Sequence, residues 1–314
     1  MPVSQVGTPV YSERVKEKMD EALTSREAEF VLVEACGKAG LNPAGAELIR
    51  LGENAMYRIA GESVVVRIAR GMDVLADAQK EIRVASWLRE SGIRATAPLD
   101  LDQPIVVRNK PVTFWQLIKD SGKTASPANL ARTLRKLHHL SVPAVLDLPA
   151  WDMFGRVGAR IDAATEIPPD VTCFLRERLS RLTIEYDNLS YSLAPCAIHG
   201  DAHDGNLIMT PSGDTVMIDL ERFAFGPPEA DLTVTATEYL VGWHSAAEYH
   251  EFSRIYGFDV MSWPGFDVMR RVNELKMTSW LMQNVAEDEA IAAEFQNRLA
   301  SLHDDDAPRH WEPF

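Results

Sequence analysis

The stretch Ile198-His199-Gly200-Asp201-Ala202-His203-Asp204-Gly205-Asn206-Leu207-Ile208 sets a His, an Asp and an Asn in the order H-x-D-x-x-x-x-N. An aspartate so placed can accept the proton of an attacking hydroxyl. An asparagine after it in the same loop offers a neutral oxygen to a divalent cation. It therefore adds no further anion beside a phosphate chain. Downstream, Val216-Met217-Ile218-Asp219-Leu220-Glu221 is an apolar strand ending in carboxylates. The set suits transfer of a phosphoryl group to a hydroxyl, with Asp201 as base and Asn206 and Asp219 as ligands of Mg²⁺. A plainer reading makes all three ordinary turn, loop and strand-end residues. The coincidence of the parts argues against it.

Other elements must position these residues. Two short strands, 206–209 and 215–219, flank a Pro211-Ser212-Gly213-Asp214 turn, and such a hairpin brings Asn206 and Asp219 to one metal. Upstream, the spacing predicts an amphipathic helix over 27–38, within a first 45 residues that read as helical, followed by Gly40 and Pro43. Strands are predicted at 48–51, 56–59, 63–69, 105–108 and 112–117, with a helix at 77–90. After Ser121-Gly122 the pattern turns helical. Ser126 can cap a helix that has Pro127 in its first turn, and Leu130, Leu134 and Leu137 recur on one face. A helix is predicted at 174–188. From Glu229 onward the chain is helical, with Val268, Val272, Leu275 and Met282 on one face, and the acidic tail from Asp304 is expected to fray. The expected fold is α+β: a small β-rich N-terminal lobe, 1–115, with a helical extension, and a larger helical catalytic and acceptor-binding lobe, 116–314.

The H-x-D-x-x-x-x-N order is the spacing of kinase catalytic loops. Over 198–232, His-Gly-Asp-x-His-x-Gly-Asn, then Ile-Asp-x-Glu, then Gly-Pro-x-x-x-Asp-Leu, the chain resembles the aminoglycoside phosphotransferase family. That family includes choline kinase-like and homoserine kinase-like enzymes. A looser likeness extends over roughly 45–300. The resemblance implies a bilobal protein-kinase-like fold, a nucleoside triphosphate and Mg²⁺. It makes Asp201 the base, Asn206 and Asp219 metal ligands, and Asp231 and His199 structural. It also places a short nucleotide loop at Gly52 and Asn54, a base-reading hinge at Gln116–Ile118, and a structural role at Leu137-His138. Arg67 stands where the family's phosphate-binding lysine usually lies, and Glu81 is its expected partner. Arginine keeps the charge and can grip phosphate in a bidentate way, with a different geometry.

Composition limits the rest. The net charge is −14. Residues 1–115 carry 15 Lys/Arg against 16 Asp/Glu, whereas residues 116–314 carry 17 against 30. No basic patch suits nucleic acid. The acidic half suits a cationic small acceptor, with Asp204, Glu221 and Glu238 as candidate contacts and Glu287, Asp288 and Glu289 as further acids; solvation of the surface explains such charge equally well. Pro227-Pro228-Glu229 follows Asp219 too closely for an activation loop, so a protein acceptor is not expected. No signal peptide or membrane span is predicted. The three cysteines, far apart, read as reduced, buried thiols of a cytoplasmic protein. His203 and His138-His139 read as loop and helix residues rather than metal ligands. The sequence thus predicts an ATP- or GTP-dependent kinase of a small, aminated natural product such as an aminoglycoside, as in antibiotic resistance or self-protection. Alternatives are a metabolic kinase for an amino sugar or amino alcohol, and a catalytically inactive binding protein.

Overall fold

The computed structural model describes residues 23–52, 54–304 and 307–314. They form two compact units: residues up to Ser86 with Thr96–Ile118, and Trp87–Ala95 with Lys119–Phe314. The part of the helical N-terminal reading that precedes Leu23 lies outside the described residues.

In the first unit, helix α1 (Ser25–Ala39) starts where the Thr24 hydroxyl accepts from the Glu27 N–H at 3.2 Å. It stops at Gly40, whose φ of 71° is the left-handed cap that glycine adopts without cost. Strands β1 (Glu47–Leu51), β2 (Asn54–Ile59), β3 (Val64–Ala69), β4 (Ile105–Val107) and β5 (Lys110–Gln116) form an antiparallel sheet ordered β1-β2-β3-β5-β4. Alternation along the strands sends Ala55, Tyr57, Ile59, Val64, Val66 and Ile68 into a core with Val31, Leu32 and Ala35 of α1. The same alternation turns Arg67 to the opposite face. Helix α2 (Leu75–Glu90) follows β3.

The division differs from a single break after residue 115. It falls after Ile118, and 87–95 groups with the second unit. The reason is local: the Met217 N–H donates to the Arg94 carbonyl at 2.9 Å, and Arg94 pairs with Asp214 at 3.2 Å.

The second unit contains α3 (Pro127–Leu137), α4 (Val157–Ala163), α5 (Pro169–Asp187), α6 (Glu229–Leu240), α7 (Ala246–Tyr256), α8 (Phe266–Leu281) and α9 (Glu289–Leu302). Ser126 and Asn129 form a reciprocal capping box at the start of α3. Helix α5 begins earlier than residue 174, because Pro169 occupies a first-turn position that needs no N–H. Helix α8 packs against α4, α5, α6 and α9. Met269, rather than the half-buried Val268, joins Val272 and Leu275 in its core stripe. Two small antiparallel ribbons complete the unit: β6 (Cys196–Ile198) with β9 (Ala224–Gly226), and β7 (Leu207–Met209) with β8 (Thr215–Met217). Among the described residues no helix is long and apolar enough to cross a membrane.

Two expectations are corrected. Cys36 and Cys196 are buried, with burial pushing their thiols up to about 11 and about 12, but Cys173 is exposed on α5. The described part of the C-terminal tail does not fray. Trp311 is buried, its indole donates to Ser301 at 3.0 Å, and Arg298 lies over its ring with the guanidinium carbon 5.0 Å from the centroid. Arg309, also buried, reaches Glu274 of α8 at 3.1 Å. The tail is thus an anchor. Trp311→Ala should cost about 3 kcal/mol or more of stability, from lost burial and the cavity left behind. Denaturant melts check this; an unchanged midpoint would show that the tail contributes nothing.

Candidate active site

The catalytic-type loop begins where β6 ends, and one buried carboxylate holds it. Asp231, in the first turn of α6, accepts from the backbone N–H of His199 and of Gly200, both at 2.8 Å. Its Oδ2 also lies 3.0 Å from His138 Nε2, and His138 Nδ1 meets the Tyr256 hydroxyl at 2.9 Å. Burial alone would raise the Asp231 carboxyl; the bond and charge of His138, with His199, outweigh it and hold the group below the usual carboxylate range. Gly200 has φ +81°, and a Cβ there would sit 2.4 Å from the Arg222 carbonyl oxygen and 2.7 Å from the Trp151 ring. Only glycine fits this approach. His199 adds a brace through Nε2 to the Ile218 carbonyl at 3.0 Å.

Beyond this lock lie the three residues expected to do chemistry. The Asp201 carboxylate makes no side-chain hydrogen bond among the described residues, while its carbonyl accepts from Asn206 Nδ2 at 2.9 Å. That bond uses the amide nitrogen, and the Asn206 Oδ1 makes no hydrogen bond among the described residues. Asn206 ends the 3₁₀ turn Asp204–Asn206 and is buried. Pairing of Leu207 with Met217 then places Ile218 next to Asn206, and the Ile218 N–H donates to the Asn206 carbonyl at 3.0 Å. Asp219 follows. It does not extend β8, which stops at Met217; its φ of 57° turns the chain into the 3₁₀ turn Leu220–Arg222. Aspartate tolerates this left-handed conformation better than most residues. Its carboxylate is exposed and makes no ion pair among the described residues. An amide oxygen and a carboxylate are hard oxygen donors, the chemistry that Mg²⁺ or Ca²⁺ takes. His203 belongs to no cluster of three or more metal-binding side chains, and none occurs among the described residues.

In the first unit, Arg67 and Glu81 form a forked pair: Nη1 to Oε1 at 3.2 Å and Nη2 to Oε2. Glu81 is buried in α2, and the Arg67 guanidinium carbon lies 5.7 Å from the Trp115 ring centroid. Gly52 sits in the tight β1–β2 turn, where its N–H donates to the Asn54 carbonyl at 3.1 Å; Glu53 between them lies outside the described residues. The segment Gln116–Ile118 is less open than expected. The Gln116 N–H donates to the Ala97 carbonyl at 2.8 Å and the Leu117 N–H to the Ser63 carbonyl at 2.7 Å.

The acids named as acceptor contacts differ in their surroundings. Glu221 pairs with Arg156 at 3.1 Å. Glu238 is buried and 3.2 Å from His244; burial raises its carboxyl against the pull of His244 and His203. Asp204 has no ion-pair partner among the described residues. Asp288 caps α9 by accepting from Ala290 and Ile291, with Glu289 in the first turn, so helix initiation accounts for both. Sequence reasoning missed Trp151, Arg222 and Lys276. The signal for Lys276 was a lysine next to Leu275 on a helix whose neighbours face the core. Burial lowers its ammonium to about 8; Asp201 opposes the shift, and Arg222 and Arg160 add to it.

Removing the lock should be costly. Asp231→Asn should lose about 3 kcal/mol or more, because it removes the buried charge and turns an NH2 group toward part of the set of donors formed by His138 and the two backbone N–H groups. With its carboxyl lowered in the fold, the Asp231 contribution is complete above the ordinary carboxylate range and is lost as pH falls through the lowered value. Urea melts over a pH series should therefore show the gap between wild type and variant closing in acid. A small gap that ignores pH would contradict this account.

Comparison with known proteins agrees with this geometry. A model described as the phosphotransferase enzyme family matches residues 47–275. No curated protein matches. Among solved structures, an amicoumacin kinase in complex with AMP-PNP, Ca²⁺ and Ami superposes with a TM-score of 0.68 at 16% identity, covering 96% of this chain and 98% of its own. Choline kinase of Streptococcus pneumoniae gives 0.63 at 16%, covering 88% and 99%. Macrolide 2′-phosphotransferase of Brachybacterium faecium gives 0.53 at 20%, covering 88% and 99%. These likenesses concern the fold, which is kinase-like. With the family match extending over most of its length, the chain belongs to the phosphotransferase enzyme family.

Proposed function

We propose that the protein transfers the γ-phosphoryl group of ATP or GTP to a hydroxyl of a small, aminated acceptor, with Mg²⁺ as the metal. The observation that carries this reading is the hairpin register that puts Asn206 beside Ile218-Asp219, in a loop whose base candidate, Asp201, keeps its carboxylate free of side-chain bonds. Asp201 takes the proton of the attacking hydroxyl. Asn206 Oδ1 and the Asp219 carboxylate hold the metal, which when bound neutralises charge on the phosphates. Arg67, oriented by Glu81, binds phosphate oxygens, Gly52 and Asn54 border the phosphates, and Gln116 and Ile118 border the base. Asp204 and Glu238 are the acids proposed to meet an acceptor amine, with Glu221 held by Arg156. The presence of Asp201, Asn206 and Asp219 together argues against an inactive binding protein. A natural-product acceptor would make the enzyme one of resistance or self-protection in the cytoplasm; an amino alcohol or amino sugar would make it metabolic. A mass-spectrometric screen for products gaining one phosphate, run with both nucleotides, separates the two.

Asp201→Asn should lower kcat by roughly a thousandfold or more while AMP-PNP binding persists, since the base acts on the acceptor. Asp219→Ala should abolish the Mg²⁺ dependence of nucleotide binding. Near-normal turnover by Asp201→Asn would remove the base from the scheme.

Arg67→Ala should raise the nucleotide KM and lower kcat, and Arg67→Lys should restore only part, because a lysine cannot form the forked pair with Glu81. Nucleotide titrations of both variants check this; equal KM values in wild type and Arg67→Ala would sink the assignment.

A further inference from the structure

Beside Asp201, in the second unit, two half-buried cations stand without a carboxylate partner among the described residues. Trp151 carries one of them. Its backbone N–H donates to the Phe225 carbonyl at 2.9 Å, and its side chain fills the space a Cβ would need on both Gly200 and Gly226. The indole is therefore wedged under the residue that precedes Asp201. The Lys276 ammonium sits over this ring, 5.3 Å from its centroid. Lys276 makes no ion pair or side-chain hydrogen bond among the described residues. Arg222 places its carbonyl against Gly200 and its guanidinium against Gly155, and it too has no ion pair among the described residues. The Trp151 indole N–H is enclosed without an acceptor among the described residues.

This arrangement is costly as it stands. Arg222 and Arg160 both repel Lys276, and the lysine's lowered ammonium reflects that repulsion together with burial. A methionine at 276 would cover Trp151 without the penalty. Two cations without an ion pair among the described residues, one over the Trp151 ring and one against Gly155, are the kind of groups that an anionic ligand requires. Asp201 and Asp231 are among the charges that act on the Lys276 ammonium. Lys276 over Trp151, and Trp151 with the Arg222 carbonyl against Gly200, set this wall beside the residue that precedes Asp201, the base candidate that an acceptor hydroxyl would approach.

We propose that Lys276 and Arg222, on the Trp151 wall, form an anion subsite that binds an acid group of the acceptor, so that the acceptor carries a carboxylate or similar acid near the phosphorylated hydroxyl. The proposal rests on Asp201 being the base, and it makes an acceptor with an amine at Asp204 and Glu238 a zwitterion. Lys276 and Arg222 then determine specificity rather than catalyse.

Malonate, a small dicarboxylate, is the probe. Calorimetry without nucleotide or metal should show millimolar binding to wild type, weakened about tenfold or more in Lys276→Gln and in Arg222→Gln, as for one lost charge-assisted contact. Lys276→Arg should keep most of it. The Lys276→Gln protein should melt no lower than wild type, since an unpaired, desolvated charge is removed. AMP-PNP affinity with Mg²⁺ should be unchanged in both Gln variants. No malonate binding, or equal binding in all variants, overturns the subsite. Loss of AMP-PNP affinity instead would assign the cations to the transferred phosphate and overturn the acceptor claim. Because the probe binds without turnover, these outcomes are independent of Asp201→Asn activity, so failure of the subsite and failure of the base assignment are read separately.

Discussion

The second unit is organised around the Asp231 carboxylate. One buried anion, in the first turn of α6, gathers two consecutive backbone N–H groups at His199 and Gly200 and the ring of His138. An isolated carboxylate at such a site would be prohibitively expensive. Three donors make it tolerable, and the same three bonds fix the path of the chain just before Asp201. The glycine at 200 follows from this constraint, because the N–H can face Asp231 only if the backbone passes against Arg222 and Trp151. The backbone that leads into Asp201 is thus fixed by a carboxylate from another element.

From there the geometry propagates along the backbone. The Asn206 amide reaches back to the Asp201 carbonyl, and the short β7–β8 ribbon carries the chain out and returns it at Ile218. Asp219 then turns off the ribbon in a left-handed conformation, which brings its carboxylate out of line with the strand. The two hard donors are therefore placed by a turn and a reversal of few residues. Their spacing in sequence is tight because each loop closes on the other.

Much of this was legible in the sequence. The hairpin within 198–219 was legible, because short-range spacing and turn residues carry that information locally. The Arg67–Glu81 pair was legible for a similar reason: one residue on a valine-rich strand and one on the helix after it. What could not be read depends on contacts distant in sequence. His138 meets Asp231 from another helix, and Trp151 enters beneath Gly200 from an irregular segment. Lys276 comes to the same wall from α8. The tail from Asp304 reads as acidic and polar, yet Arg309 and Trp311 bury themselves against residues of α8 and α9, which only the tertiary structure reveals. The bonding of Gln116 and Leu117, whose N–H groups are spent within the unit on Ala97 and Ser63, could not be read either.

The central claim is that Asn206 and Asp219 hold a metal in front of Asp201. A crystal structure with Mg²⁺ and a non-hydrolysable nucleoside triphosphate tests it most directly. The account predicts Mg²⁺ within about 2.1 Å of both the Asn206 Oδ1 and an Asp219 carboxylate oxygen, with the γ-phosphate facing Asp201. A metal bound without either residue, or a γ-phosphate turned away from Asp201, would contradict it.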